Sequence, residues 1–464
     1  MHFKLFAKEI YQNRRSALAK AVKGLIVLCG NEETGMNYRD NWYPFRQDSS
    51  FLYYFGLDVA GLNAIIDTET GEEVIFGNDA GIDDIIWTGP LPSVGEMAEA
   101  VGVKRTAPAK EAGAYIQQAL KKGQKVHILP PYRFANRLRL AEWLNLTAKE
   151  VDGIVSEELI RAVVQQRSIK SAEEIKEIEE AVTISAEMHL TAMRYAGTGM
   201  KEYEVAAKVQ ETAFAHGSRL AYPIILTVEG QTLHNHYYGN TLKPGNMVLV
   251  DAGAENAMHY AGDLTRTFPA GKLFSSRQRE VYQAVLDALE HAAALLKPGI
   301  PFLDVHNKAC EKLVEGLVAI GLMKGDPAEA VAAGAHTLFF QCGLGHMMGL
   351  DVHDMEDLGE QYVGYNDSLK KSTAFGWKSL RLGKPLEEGF VLTVEPGVYC
   401  IPELIDRWKA ENKLEVFINY NVVNEYRDFT GIRIEDNYLI TSNGSKRLGK
   451  YCPKTIAEVE AIRE

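Results

Sequence analysis

The stretch Asn246–Phe268, NMVLVDAGAENAMHYAGDLTRTF, carries two aspartates in a pattern suited to metal chemistry. Met247–Val250 is apolar and β-branched, Asp251-Ala-Gly opens a turn-rich segment, and Tyr260–Phe268 resumes strand-like alternation. Folded back on itself, the run sets Asp251 and Asp263 side by side on neighbouring strands. Two like charges there repel unless a cation lies between them. Each aspartate alone also reads as a turn former, so the rest of a ligand set must come from elsewhere.

It arrives later in the chain. Gly343-Leu-Gly-His346 through His353-Asp354 puts two histidines seven residues apart, behind glycines that allow close backbone approach. Either histidine alone reads as a structural one. Gly389-Phe-Val-Leu-Thr-Val-Glu395 is an apolar strand ending in a glutamate, and a buried carboxylate is costly unless paired or coordinated. Gly431-Ile-Arg433-Ile-Glu435 places Arg433 and Glu435 two apart, hence on one face of a strand with isoleucines on the other. A surface Arg–Glu pair is the plainer alternative for these two.

The elements that must position these residues fall into two domains, 1–165 and 166–464. In the first, Lys8–Val22 has helical spacing, and Gly24–Gly30, Phe51–Phe55, Ala64–Asp67, Glu73–Phe76 and Lys125–Leu129 read as strands. Helices are expected over Arg137–Leu146 and Ser156–Gln166, which makes this an α/β domain with a mixed sheet. The second opens with a capping box, Ser171-Ala-Glu-Glu174, and a helix to about Ala196. A second helix, Glu202–His216, leads to the strand Ala221–Thr227, the histidines His234 and His236, and the aspartate hairpin. Amphipathic helices over Glu280–Leu296 and Leu303–Ile320, then strand-rich sequence, repeat the order: two similar halves around one site.

Composition excludes several classes. With 464 residues, 46% hydrophobic and 24% charged, the chain is ordinary globular protein with room for two full cores. A net charge of −12 without a basic stripe argues against nucleic acid. Five scattered cysteines without a Cys-x-x-Cys indicate neither a disulfide framework nor a zinc ribbon. No apolar run is long enough to span a bilayer, and the N-terminus has no signal-like core, so a cytoplasmic protein is expected.

Asp251, Asp263, His346, Glu395 and Glu435, in that order and those local contexts, resemble the Xaa-Pro aminopeptidase (aminopeptidase P) and prolidase family of metallopeptidases. The resemblance covers nearly the whole chain. Residues 1–165 resemble that family's N-terminal domain, notably at Tyr43-Pro-Phe-Arg-Gln-Asp-Ser-Ser-Phe51, and 166–464 its α+β pita-bread (creatinase/aminopeptidase) catalytic domain. The long first domain argues against methionine aminopeptidase, and the complete ligand set against creatinase. By resemblance, Asp263 and Glu435 bridge two divalent ions, Asp251 completes one site, and His346 with Glu395 the other. Four carboxylates and one imidazole form a hard donor set that suits Mn²⁺. The family's nucleophile is a metal-bridging hydroxide held between ions about 3.5–4 Å apart.

The resemblance further implies that His234 and His353 contact substrate and that Arg433 holds Glu435 in place, with His236 competing for the role of His234. Cys342 departs from the family, which often has a histidine four residues before the metal histidine. The segments Met355–Leu386 and Cys400–Phe429 either fence the site or are surface insertions. The expected activity is hydrolysis between an N-terminal residue and a following proline, an imide that offers no N–H and so needs a dedicated pocket. Prolidase, restricted to Xaa-Pro dipeptides, is the alternative, and an inactive pita-bread binding module the remote one. Expected partners are peptides with proline second, with neither nucleic acid nor membrane. The assembly expected is a homodimer or higher homo-oligomer, and Trp87 is read as a packed aromatic.

Overall fold

The computed structural model describes residues 4–463. The chain divides into two compact units: one runs to Arg167 and includes Met355–Tyr362, the other comprises Ser168–Asp354 and the chain from Val363 onward. Among the described residues no helix is long and apolar enough to cross a membrane. All five cysteines are free thiols.

The first unit is built on a five-stranded sheet in the order Arg105–Ala107, Glu72–Phe76, Asn63–Asp67, Leu25–Cys29, Val126–Ile128. Leu25–Cys29 runs antiparallel to Asn63–Asp67 and parallel to Val126–Ile128, so the sheet is mixed. Leu25, Val27, Ile65, Val74 and Phe76 pack from the sheet against Ile116 and Ala119 of the helix Ala112–Lys121 and Leu140 and Leu144 of Phe134–Leu144. These alternating branched residues make a half-sheet core of the usual kind.

Two local expectations fail in this unit. Phe51–Phe55 is not a strand but the end of the helix Ser49–Phe55, in which every residue is buried. A wholly buried segment shows no polar face, so its period is illegible. The termini decide it: the Asp48 side chain accepts from Phe51 N at 2.9 Å, and Gly56 at φ +68° closes the helix. Trp87 is not packed. It is 86% exposed, on the short helix Ile82–Thr88 with Ile82 and Ile86 also exposed.

The second unit repeats one arrangement. The helices Ala172–Tyr195 and Glu202–Ala215 precede a three-stranded antiparallel sheet, Leu264–Pro269, Met247–Ala252, Ile225–Thr227. The helices Ser276–Leu295 and Phe302–Ala319 precede a second antiparallel sheet, Val391–Val394, Asp436–Ile440, Ser445–Arg447. Both leading helices start with capping boxes, Ser171/Glu174 and Ser275/Gln278. The expected strand Ala221–Thr227 forms only over Ile225–Thr227, because Pro223 has no N–H for a ladder. The expected single strand through Arg433 and Glu435 is two, Gly431–Arg433 and Asp436–Ile440. At the break, Glu435 N donates to Thr265 O at 3.1 Å, joining this strand to the first sheet.

Candidate metal centre

Strand register carries the two aspartates together. Thr265 faces Asp251 across the ladder, and Asp263 directly precedes its strand. The Tyr222 hydroxyl lies between their carboxylates, 2.6 Å from Asp251 Oδ1 and also against Asp263 Oδ1. Asn437 pins the backbone of Asp263, accepting from its N–H at 3.1 Å and donating to its carbonyl.

The remaining predicted donors converge on the same place. Gly345 packs so closely on the neighbouring strand that a Cβ there would lie 2.1 Å from Thr393 O. His346 N then donates to Thr393 Oγ1 at 3.1 Å. Its Nδ1 lies 3.0 Å from the Met347 carbonyl, which can only accept, so Nδ1 carries a proton and Nε2 is the nitrogen turned toward the carboxylates. That nitrogen faces Asp263 Oδ2 at 3.3 Å and Glu395 Oε1 at 3.6 Å. Glu435 Oε2 accepts from Thr265 Oγ1 at 2.7 Å, while its Oε1 is buried without a hydrogen-bond partner. One donor atom each from Asp263, His346 and Glu435 lies within 4.8 Å of the others.

Electrostatics disfavours the fully ionised cluster unless a cation lies within it. Burial first, then Asp251, pushes the Asp263 carboxyl up to about 7. Burial pushes Glu395 up to about 7 as well, and burial followed by Asp263 drives Glu435 well above the carboxylate range. A buried carboxylate oxygen without a hydrogen-bond partner, an imidazole nitrogen turned toward two carboxylates and acids whose ionised forms repel one another are features a divalent ion resolves, so the residues present fit such ions.

Arg433 has a different partner from the one expected. Its Nη2 donates to Asp251 Oδ2, Nη1 to the Tyr399 hydroxyl at 2.8 Å, and Nε to Thr265 Oγ1 at 3.2 Å. Glu435 is reached only through Thr265. The strand bearing Glu435 is instead braced by Arg266, whose Nη1 donates to Glu435 O at 2.6 Å and whose Nη2 donates to Asp436 Oδ1 at 2.7 Å. Lys454 Nζ completes that buried network at 2.6 Å from Asp436 Oδ2.

The donors open onto a cavity of about 210 Å³. His234, His236 and His353 all line it, as does Cys342. The rings of His346 and His353 meet edge to face with centroids 4.3 Å apart. The imidazole of His234 is held below its usual pKa by burial, then by Arg433, with Arg381 adding to this. Of the two long segments, Met355–Leu386 contributes Ser379 and Arg381 to the wall, and Cys400–Phe429 contributes nothing. Sequence reasoning missed Tyr222, Thr265 and Arg381. Arg381 was findable as the one arginine in a segment suspected of fencing the site; nothing local marks Tyr222 or Thr265.

Fold and cluster together are those of a metal-dependent hydrolase. The model for metallopeptidase family M24 matches residues 176–442, and that for the aminopeptidase P N-terminal domain matches residues 11–129. The chain belongs to metallopeptidase family M24, with an aminopeptidase P-type α/β domain ahead of a pita-bread catalytic domain. It is 32% identical to an Xaa-Pro aminopeptidase of Escherichia coli, across 98% of each chain. It is 29% identical to the human Xaa-Pro dipeptidase, across 99% of this chain and 92% of that one. Its fold is similar to the solved structure of E. coli aminopeptidase P with the inhibitor Pro-Leu, with a TM-score of 0.81 over 99% of both chains at 29% identity.

Proposed function

We propose that this chain hydrolyses the bond between an N-terminal residue and a following proline, and that Xaa-Pro dipeptides are its preferred substrates. In this reading residues 1–165 are the N-terminal domain and 166–464 the catalytic one. Asp251, Asp263, His346, Glu395 and Glu435 would hold two divalent ions. The oxygen-rich set favours Mn²⁺. When bound, such ions polarise the scissile carbonyl and make water acidic enough to attack at neutral pH.

The chain's own groups do the rest. Arg433 and Tyr222 fix the Asp251 carboxylate from two sides, which presets its orientation. His353 and His234 border the cavity and donate N–H bonds to charge that develops on the carbonyl oxygen. His234 is preferred over His236 because its electrostatic neighbours are Arg433, Asp251 and His353. His236 Nδ1 instead lies 3.5 Å from the Ile224 carbonyl.

The single observation that carries the dipeptide preference is the position of Arg381 in the wall of the same cavity as the five donors. In a dipeptide the carboxylate sits one bond beyond the proline Cα, so it cannot leave that cavity, and a guanidinium fork is the side chain best shaped to receive it. Aminopeptidase P activity, with longer peptides accepted, is the second reading, favoured by the likeness to the E. coli enzyme. The test is hydrolysis of an Xaa-Pro dipeptide beside an Xaa-Pro-Xaa tripeptide by Mn²⁺-loaded protein with a chelated control. Dipeptide cleavage alone supports the first reading, efficient tripeptide cleavage the second, and neither defeats both.

Homo-oligomerisation belongs to the same proposal. Ile82, Ile86 and Trp87 are exposed apolar side chains on one short helix, which supports self-association. Light scattering on the wild type and Trp87→Ser reads it directly; a monomeric wild type would dismiss it.

A further inference from the structure

Apart from the carboxylate cluster, a second group of metal-ligating side chains converges in the catalytic unit. His306 and Cys310 lie four residues apart on the helix Phe302–Ala319 and so share a face. His336 joins them from the single turn Ala335–Leu338. Their exposures are 1%, 0% and 1%, and one donor atom from each lies within 4.8 Å of the others.

The spacing is that of a coordination edge. His306 Nε2 and Cys310 Sγ are 3.7 Å apart. Nitrogen at about 2.05 Å and sulfur at about 2.3 Å from one tetrahedral ion are about 3.6 Å from each other. Hydrogen bonding within the protein does not account for these groups. Nδ1 of His306 and Nδ1 of His336 are both buried without a partner, and the other nitrogen of His306 meets only the weakly bonding thiol. Aromatic rings wall the group: Phe340 lies beside His306, and Trp377 stands edge-on to His336 with centroids 4.9 Å apart. Burial holds the imidazoles at about 3 and about 4, hence in the neutral form that ligates.

We propose that His306, Cys310 and His336 form a structural site for a zinc-class ion, distinct in chemistry from the carboxylate centre. Two imidazoles and a thiolate are a borderline-soft set, which prefers Zn²⁺ to Mn²⁺. Binding breaks the Cys310 S–H bond, forms a sulfur–metal bond and releases one proton to solvent, with no change of oxidation state. Affinity therefore rises about tenfold per pH unit while the thiol is protonated in the free protein. The ion ties the helix Phe302–Ala319 to the chain that leads through Cys342 to His346.

The probe is Co²⁺, added to the reduced, chelator-treated full-length protein and followed by the thiolate-to-metal charge-transfer absorption. Carboxylate ligands do not produce that band. The expected result is a band of one thiolate per chain, bleached by Zn²⁺, lost in Cys310→Ser and His336→Gln, and kept in Cys342→Ser. The last control is needed because Cys342 lies near enough to raise the Cys310 thiol further. No band in the unmodified protein, a band surviving in Cys310→Ser, or one lost in Cys342→Ser overturns the proposal. Should Cys310→Ser fail to fold, zinc-edge X-ray absorption of the unmodified protein decides. One sulfur scatterer per chain supports the site, and none removes it.

Discussion

Arg433 Nη2 and Asp251 Oδ2 form a 2.5 Å ion pair between two side chains that are largely shielded from solvent. The pair ties an arginine of the second sheet region to an aspartate of the first hairpin, 182 positions earlier. Removing the guanidinium leaves the carboxylate held from one side only, by Tyr222. Arg433→Met is expected to weaken metal affinity and hydrolysis by roughly 10–100-fold. Arg433→Lys should recover only part, since an ammonium cannot also fork to Tyr399 and Thr265. Metal-binding isotherms beside kcat check both, and full recovery by lysine would show that charge alone suffices.

Asp263 and Glu435 are the deepest carboxylates of the cluster, 5% and 2% exposed. Asp263→Asn and Glu435→Gln keep volume and remove the charge each contributes. Both are expected to abolish hydrolysis and to lower the number of ions held per chain, read by elemental analysis after gel filtration. Full activity in either variant would end the assignment of that residue as a metal ligand.

Arg381 gives the substrate reading its sharpest test. Arg381→Met should raise KM for an Xaa-Pro dipeptide by roughly 10–100-fold, the loss of one or two charge-assisted hydrogen bonds, with kcat less affected. An Xaa-prolinamide, which lacks the carboxylate, should be a poor substrate of the wild type and no worse for the variant. Equal losses on both substrates would make Arg381 a wall residue only.

A pH effect on stability is expected from His189, which is buried in the helix Ala172–Tyr195 with Nε2 donating to Ala252 O at 3.0 Å. Burial first, then Arg266, lowers its pKa to about 4. The folded value lies below that of the unfolded chain, so the stability linked to the neutral ring is complete above about pH 6.5 and is lost as pH falls through 4. Across that interval the term amounts to roughly 3 kcal/mol. Urea unfolding at pH 7 and pH 4 should show a smaller acid loss in His189→Gln than in the wild type; identical losses would place the acid lability elsewhere.

Each of the five proposed donors sits in a short stretch whose residue types can be read locally, but each stretch alone has a plainer structural reading, and only their order along the chain, by resemblance to a family, joined them into one set. Asp251 ends an apolar strand, Glu395 ends another, and His346 follows glycines. The capped helices Ala172–Tyr195 and Ser276–Leu295 were readable locally, since cap and apolar stripe lie within one segment. The Phe51–Phe55 error marks the limit of such reading: a fully buried run carries no periodic signal, and only the cap on Asp48 and the left-handed Gly56 declare a helix.

Only the tertiary structure decided who partners whom. Arg433 and Glu435 are two residues apart in the chain, yet the guanidinium pairs with Asp251, while Glu435 leans on Thr265. Tyr222 between the aspartates, Arg381 in the cavity wall and the meeting of His306 and Cys310 with His336 arise from docking of elements far apart in sequence. A sequence constrains side-chain type and local periodicity, but a hydrogen bond or a coordination edge is a distance of a few ångströms. Those distances are set when sheets and helices pack, and by no segment alone.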